Sequence, residues 1–354
     1  MKQIIETDMQ EISKSNVPWE QFDGKTVLIS GATGMIPSYM VMTLLYLNKF
    51  RDNFTCKVIA LIRSMEKAQR LFGELISEPA LQLMKVDICN PILLEYNIDY
   101  IIHAASPASP QFFTKCPVDT VRPNILGTFN LLQLAVEKKV KGFLLFSSGD
   151  VYGQIQEGTI IREDSLGVVD QLNIRNSYAE SKRMAEMLCK AYTEQYGVPA
   201  KMARISHTYG PTVNLKEDRR VFSEFVQNII HNENIVMKSL GEAVRPFCYL
   251  TDATVALFKI LLEGKMGEAY NMCNDKCSFS IRDLADILVS LFPERGLHVV
   301  CELRSADDDY KESLVSKPCM VDNSKLRDLG WAPRVDIRDG FRRMVLALEQ
   351  REDW

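Results

Sequence analysis

Two kinds of apolar pattern alternate along the first two hundred residues. Short continuous runs, KTVLIS at 25–30 and KVIALI at 57–62, suit strands buried on both faces of a parallel sheet, where neither face needs a polar residue. The same reading places strands at Leu83 to Val86, Tyr100 to His103, Gly142 to Ser147 and Ala200 to Ile205. Between them, apolar residues recur at helical spacing from about Pro37 to Leu47 and from about Val118 to Glu137. A further helix surrounds residues 178–192, where Met184, Leu188 and Tyr192 mark its apolar spacing. Strand and helix in strict alternation predict an α/β fold on a doubly wound parallel sheet, with ligands at the carboxyl ends of the strands.

After Gly210 the pattern loosens into a charged loop (Lys216 to Arg220), a helix near Val221 to His231 and a short strand at Ile235 to Lys238. Arg245-Pro246-Phe247-Cys248-Tyr249 leads into a helix beginning near Thr251 that reads as a return to the main sheet. From Phe279, two helical patterns flank a short strand near Val299 to Leu303. The expected organisation is an N-terminal extension over 1–22 and a cofactor domain over 23–210, with 245–275 returning to it. A smaller α+β substrate lobe is expected from 211–244 and 276–354.

Composition narrows the function. With 354 residues, 46% of them hydrophobic, the chain can fill a full core. The balance of 42 basic and 46 acidic residues argues against nucleic acid or an anionic membrane as the main partner. No long apolar run is present, and Glu6, Asp8, Glu11 and Lys14 in the first segment fit neither a secretory nor a transit signal, so a cytoplasmic location is expected. Nine cysteines at spacings that match no zinc template, Cys273 and Cys277 included, read as reduced structural thiols, and no metal is expected.

The first predicted strand runs directly into Gly31-Ala32-Thr33-Gly34-Met35-Ile36-Pro37 and then a helix, the context in which a G-x-x-G binds a dinucleotide. Gly31 permits the tight turn and Gly34 lets the backbone approach a pyrophosphate. Thr33, Met35 and Ile36 lie on the same turn at the helix N-terminus, where anions are favoured. Pro37 stands where a third glycine is usual and removes one possible donor. The second strand ends in Arg63-Ser64, where an acid for the ribose hydroxyls of NAD is common. A guanidinium there suits the extra phosphate of NADP, so NADP is favoured over NAD. Asp87 and Ile88 end the third strand beside the expected adenine, and Ala104, Ala105 and Ser106 let the backbone after the fourth pass close to the cofactor.

The chemistry centres on Ser148 and on SYAESK at 177–182. Tyr178 and Lys182, four apart on a helix, emerge on one face, and an ammonium beside a phenol is expected to lower its pKa. Ser148, at the end of the fifth strand, is placed to share a substrate proton. The set suits moving a proton on or off a hydroxyl while a hydride moves at the same carbon. Asn124 lies inside the long helix at 118–137, where an asparagine costs propensity and needs a reason, simple solvent exposure being one.

Taken together, the glycine turn, Ser147-Ser148, VYG at 151–153 and Tyr178/Lys182 resemble the extended short-chain dehydrogenase/reductase family of nucleotide-sugar epimerases, dehydratases and decarboxylases. The resemblance continues through HAASPASP (103–110), NILGT (124–128), RISHTYGP (204–211), RPFCYLTDA (245–253) and DNSKLRDLGWAP (322–333), and several of these stretches look most like UDP-glucuronate decarboxylases. It implies a Rossmann-type domain, a nucleotide-sugar substrate, an NAD(P) cofactor and a homodimer paired through the helices at 118–137 and 175–196. By position, it implies Tyr178 as the base, Lys182 on the nicotinamide ribose, Ser148 on the reacting hydroxyl and Asn124 ordering the site. Gly31, Gly34, Arg63, Asp87 and Lys182 would meet the cofactor, and Arg245 would clamp the diphosphate with help from Arg220 or Arg219.

Two positions depart from the pattern. Gly149-Asp150 stands where dehydratases carry an Asp-Glu pair, so Gly149 cannot act as an acid, while Asp150 can serve in place of the glutamate or bond a substrate hydroxyl. His207 replaces an asparagine near the expected diphosphate, either as a pH-dependent charge or as a neutral packed imidazole. The leading reading is an oxidoreductase acting on a nucleotide-linked sugar in a closed hydride cycle. Its rival is an NADPH-dependent reductase of a nucleotide-linked keto sugar or ketose, and a cofactor-binding protein without catalysis is the remote third.

Overall fold

The alternating runs assemble as a seven-stranded parallel sheet flanked by helices on both faces. The computed structural model describes residues 2–107, 110–156, 158–302 and 320–351. The N-terminal extension forms α1 (Lys2–Ser13). Then β1 (Lys25–Ser30) runs into α2 (Met35–Phe50) and β2 (Cys56–Ile62) into α3 (Met65–Phe72), followed by β3 (Leu81–Lys85) and β4 (Tyr100–His103). Two short helices, α4 (Pro110–Lys115) and α5 (Pro117–Arg122), a π turn (Pro123–Gly127) and α6 (Thr128–Lys138) lead to β5 (Gly142–Ser148). Helix α7 (Ser177–Tyr196) leads to β6 (Ala200–Ile205) and β7 (His207–Tyr209). Next come α8 (Val221–Ile230), β8 (Ile235–Met237), β9 (Val244–Tyr249), α9 (Leu250–Glu263) and β10 (Glu268–Met272). The last elements are β11 (Ser278–Ser280), α10 (Ile281–Leu291), β12 (Val299–Cys301), α11 (Ser324–Arg327) and α12 (Ile337–Glu349). Among the described residues no helix is long and apolar enough to cross a membrane.

The strand order is β10-β6-β5-β4-β1-β2-β3, with every pairing parallel. After β3 the chain crosses to the other side of β1, so the connections leaving β1 and β4 diverge and open a crevice at their carboxyl ends. The register sets Ser30 opposite Leu61 on one side and His103 on the other, which brings the ends of β1, β2 and β4 level.

The continuous apolar runs have the reason the sequence suggested. Val27 and Ile29 of β1 join a core with Tyr39, Leu44 and Leu257 on the α2/α9 face. Leu28, between them, joins Ile59, Ile101, Phe143, Leu131 and Cys189 on the α6/α7 face. Each such side chain taken out of water contributes roughly 1.5–3 kcal/mol, which drives both faces to be covered. A third core packs α8, α10 and α12 around Tyr209, Phe222, Phe247 and Phe341, with Tyr209 stacked on Phe341 at 4.0 Å. Beside it lie a three-stranded sheet, β11-β9-β7, and a β12-β8 pair.

Several local features differ from the reading of the sequence. The single long helix expected over 118–137 is α5 and α6 joined through a π turn that begins at Pro123, a residue with no amide to donate to the preceding turn. Strands β7 and β11 have three residues each, too few to show a period. The strand expected to reach Leu303 ends at Cys301, and Leu303 lies outside the described residues, as do Ala108 and Ser109 of HAASPASP.

Gly31 has φ +66°, and a Cβ there would lie 2.7 Å from the Ala105 Cα. Gly24 has φ +67° with nothing within 4 Å of such a Cβ. Gly31→Ala therefore combines backbone strain with a main-chain clash and is expected to destabilise by about 2–4 kcal/mol. Gly24→Ala carries the strain alone, about 1–2 kcal/mol. Urea unfolding of the two variants checks this, and equal losses would remove the close approach of the two loops as an explanation.

Candidate active site

Strand β5 ends at Ser148, whose Oγ accepts the Asp150 amide at 3.2 Å and so starts the short 3₁₀ turn of residues 149–152. Tyr178, in the first turn of α7, hydrogen-bonds Ser148 and stacks on Phe113 at 4.4 Å with an interplanar angle of 5°. One turn on, the Lys182 Nζ donates to the Phe146 carbonyl at 2.7 Å and lies 5.6 Å from the Tyr178 ring centroid. Ser148, Tyr178 and Lys182 thus converge at the carboxyl end of β5. Tyr178 and Lys182 are buried, at 8% and 3% exposure.

That burial reverses the expected electrostatics. The Tyr178 phenol is pushed up from its ordinary value, first by desolvation and then by the nearby Asp150 charge, and the Ser148 hydrogen bond offsets only part of this. The Lys182 ammonium is pushed down to about 7 by desolvation, against the pull of Glu186 one turn further along α7. The expectation that Lys182 lowers the phenol is therefore corrected for this structure: loss of water and the Asp150 carboxylate raise it instead.

Asn124 is fully buried on the π turn. Its Nδ2 donates to the Thr120 carbonyl at 3.0 Å and to the Ser181 Oγ at 2.9 Å, and that hydroxyl donates to the Tyr178 carbonyl at 2.8 Å. Asn124 therefore ties the π turn to the first turn of α7, and the solvated alternative falls away.

A second buried chain of polar groups, unforeseen in the sequence, joins the glycine turn to this asparagine. The Ser30 Oγ accepts the amides of Ala104 (3.2 Å) and Ala105 (3.3 Å), so its proton is directed to the His103 Nδ1 at 2.9 Å. His103 then carries its own proton on Nε2, 3.0 Å from the Thr128 Oγ1, which donates to the Asn124 carbonyl at 2.5 Å. Burial holds the His103 pKa down at about 3, with the Lys182 charge adding to the effect, so the ring stays neutral. The one available signal was a histidine at a strand end followed by two alanines. A third network runs beside Ser148: the Ser147 Oγ donates to Glu186 at 2.5 Å, and Arg204 holds both oxygens of that carboxylate at 3.0 and 2.8 Å.

The cofactor candidates line the carboxyl edge of the sheet. The Gly34 amide donates to the Gly31 carbonyl at 2.8 Å, closing the turn that carries Thr33, and Met35 and Ile36 open α2 with Pro37 in its first turn. The amide of Cys89, and after it the charges of Arg122 and Arg63, hold the Asp87 carboxyl below its ordinary range, and Arg63 is exposed just after β2. Ile88 is buried, and a Cβ on Gly127 would meet its Cδ1, so Gly127 lets the π turn pack against it. Ala104 and Ala105 turn their amides to Ser30, and the Ser106 Oγ donates to the Pro107 carbonyl.

On the turn after Ser148, Asp150 is surrounded by protein mass yet exposed to solvent. Enclosure pushes its pKa up, while Arg245 and Arg175 pull it back. Arg175 escaped the sequence reading, since a lone arginine in a polar turn carries no motif. His207 on β7 is half-buried, and burial, with the charges of Arg245 and Arg220, pushes its pKa down to about 3, the direction of the neutral imidazole among its two alternatives. Arg220 is already engaged: its Nε lies 3.0 Å from both Asp218 oxygens and its Nη1 donates to the Thr208 carbonyl at 3.0 Å. Arg245 gives one donor to the Val244 carbonyl at 2.9 Å.

The family model described as the NAD dependent epimerase/dehydratase family matches residues 27–273. UDP-glucuronic acid decarboxylase 3 of Arabidopsis thaliana is 32% identical over 319 residues, covering 89% of this chain and 86% of that protein. Among solved structures, UDP-glucuronic acid 4-epimerase of Bacillus cereus, in complex with UDP-glucuronic acid and NAD, superposes with a TM-score of 0.74 at 22% identity, over 92% of this chain and 99% of that one. RMD of Pseudomonas aeruginosa, complexed with NADPH, gives 0.70 at 22%, over 92% and 100%. Both show the same fold.

The buried lysine sets a pH dependence. Between about 7 and the ordinary 10.5, the native chain holds fewer protons on Lys182 than the unfolded chain does, so its contribution to stability rises with pH. The difference in unfolding free energy between the wild type and Lys182→Met is expected to shift toward the wild type across that window, by up to about 1.4 kcal/mol per pH unit. Denaturant unfolding at several pH values measures it; a flat difference would mean that the lysine is not desolvated.

Proposed function

The chain belongs to the NAD dependent epimerase/dehydratase family, and on that premise we propose that it is a nicotinamide-dependent oxidoreductase of a nucleotide-linked sugar. The observation that carries the reading is the convergence of Ser148, Tyr178 and Lys182 beside the crevice at the ends of β1 and β4. Gly31 and Gly34 fit a dinucleotide: Gly31 keeps the turn against Ala105 free of side chain, and Gly34 precedes the amides that open α2. A nicotinamide dinucleotide held there supplies the hydride acceptor or donor.

The chain's own residues handle the proton. Ser148 holds the reacting oxygen and Tyr178 exchanges a proton with it. Lys182 supplies nearby positive charge when protonated, and Asn124 fixes the turn of α7 on which both depend. Arg245 serves as the diphosphate clamp, with His207 as a neutral neighbour and Arg220 held in place by Asp218.

A second reading, reduction of a nucleotide-linked keto sugar or ketose by NADPH, is favoured by two observations. Tyr178 enters as a neutral phenol whose pKa burial has raised, a state ready to deliver a proton to a carbonyl oxygen but one that must be ionised before it can act as a base. Position 149 has no side chain, so of the Asp-Glu pair used for elimination only an Asp150 counterpart remains. The Arg63 and Arg122 charges near Asp87 support NADP in place of NAD. The identity to UDP-glucuronic acid decarboxylases supports the closed cycle instead.

A homodimer completes the reading, supported by exposed apolar side chains on neighbouring helices: Val118, Leu126 and Phe129 along α5, the π turn and α6, with Met184 and Met187 on α7. A cytoplasmic site of action is supported by the eight described cysteines, all free thiols.

Purified protein is incubated with a panel of nucleotide sugars, with and without NADPH, following the absorbance of the reduced nicotinamide and the product mass. Stoichiometric loss of NADPH identifies the reductase, and turnover without net change identifies the closed cycle. Tyr178→Phe is expected to cut turnover by about 10²–10⁴ while leaving cofactor affinity within about threefold. Undiminished turnover would remove Tyr178 from the chemistry, and cofactor binding with no turnover of any nucleotide sugar would leave a non-catalytic protein. Met187→Asp is expected to shift sedimentation from dimer to monomer; an unchanged profile would place the contact elsewhere.

A further inference from the structure

The N-terminal helix carries a polar knot that the proposed chemistry does not use. Asp8 has no exposed surface, yet its carboxylate accepts three hydrogen bonds from three different elements. Its Oδ2 accepts the hydroxyl of Tyr39 on α2 at 2.7 Å and that of Tyr249 on β9 at 2.8 Å. Its Oδ1 accepts Nη1 of Arg343 on α12 at 2.9 Å. Arg343 in turn forks onto Glu11 at 2.7 and 3.0 Å and onto Asp339 of its own helix at 2.8 Å. Burial raises the Asp8 pKa to about 6 against the pull of Tyr39, Tyr249 and Arg343, so above neutral pH the group is ionised.

A carboxylate taken wholly out of water is costly unless several donors meet it, and apolar packing would hold α1 in place without one. What the carboxylate adds is register, because donors from three separate elements meet on one group. Tyr39 lies one turn beyond Met35, where α2 leaves the glycine turn. Tyr249 lies on the strand that carries Arg245, four residues earlier. Arg343 sits on the helix that packs Phe341 against Tyr209. A second tie lies alongside: the Asn16 Nδ2 donates to the Gly330 carbonyl at 2.9 Å, and the Lys259 Nζ to the Asn16 carbonyl at 3.1 Å. Asp8 and Arg343 both fall outside residues 27–273, so the family model contains neither end of this contact.

We propose that Asp8 is a positioning residue, and that α1 is a clasp within the chain that fixes the helix of the dinucleotide turn against the strand bearing Arg245. The inference rests on the reading that those two elements hold the two ends of the reacting pair, cofactor and nucleotide sugar. The clasp sets the spacing between the two holding points and leaves the Ser148/Tyr178 chemistry untouched.

The test uses the full chain with Asp8→Asn, which keeps the shape but sets an amide donor against the other donors, and with Asp8→Glu as the conservative variant. Asp8→Asn is expected to raise KM for the nucleotide sugar by about tenfold and to weaken UDP binding similarly, with kcat changed by less than about threefold. Asp8→Glu is expected to recover part of the KM. Asp8→Asn combined with Arg343→Met is expected to shift KM by less than the sum of the single effects. Tyr249→Phe, which removes one donor and no charge, gives a smaller shift in the same direction and serves if Asp8→Asn does not fold. A lowered melting temperature with unchanged KM and UDP affinity, measured well below the melting point, would overturn the proposal. UDP affinity, read by calorimetry, needs no turnover, so failure of the clasp is distinguishable from failure of the proposed activity.

Discussion

Everything at the centre of this molecule depends on a lysine ammonium held almost without water. Lys182 reaches one backbone carbonyl, that of Phe146, and lies beside a phenol that is itself buried. In such a place a charge is costly and a dipole counts for more than it does in water. The fold meets the constraint by surrounding the pair with polar groups whose own bonds are fixed. Glu186, one turn along the helix, is gripped by Arg204 and Ser147 and lends Lys182 a negative field without touching it. Asn124 and Ser181 fix the start of the same helix. Phe146, Ser147 and Arg204 stand on neighbouring strands, so the surroundings of the lysine share the rigidity of those strands.

The parallel sheet supplies that rigidity. Its register brings Ser30 opposite His103 and Ser148 opposite Ile205, so the residues that support the site arrive at one edge of the sheet from strands far apart in sequence. The π turn widens the helix by one residue just where Asn124 must face inward. A regular helix over 118–137 would turn the residues after this point to a different face, so the irregularity has a definite geometric effect.

Much of this was legible in the sequence, for physical reasons. Strands buried on both faces leave apolar runs, so β1, β2, β4 and β5 could be placed from those runs, and β6, interrupted by Lys201 and Arg204, from its place in the alternation of strand and helix. A four-residue spacing on a helix is enough to bring Tyr178 and Lys182 to one face. The direction of their pKa shifts was not legible, because it depends on how much water burial removes, and burial is a property of the whole packing. The Ser30–His103–Thr128 chain and the Asp8 knot were hidden for a related reason. The bonds that link His103 to Thr128 and Arg343 to Asp8 span 25 and 335 positions, and no local pattern marks a buried histidine or aspartate as satisfied. Three-residue strands such as β7 and β11 escape any periodic test.

The one-way order of the Ser30–His103–Thr128 chain restricts which side chains can occupy position 103. Ser30, with two amides already on its oxygen, demands an acceptor, and Thr128, whose hydrogen is committed to Asn124, demands a donor. A replacement must present a lone pair at one end and a hydrogen at the other across the width of an imidazole ring. Asparagine has both but is shorter, glutamine has both on a stem that must be frozen to use them, and lysine or arginine offers hydrogens alone. Position 103 thus has a narrow vocabulary, set by the polarity of the hydrogen bonds that meet there.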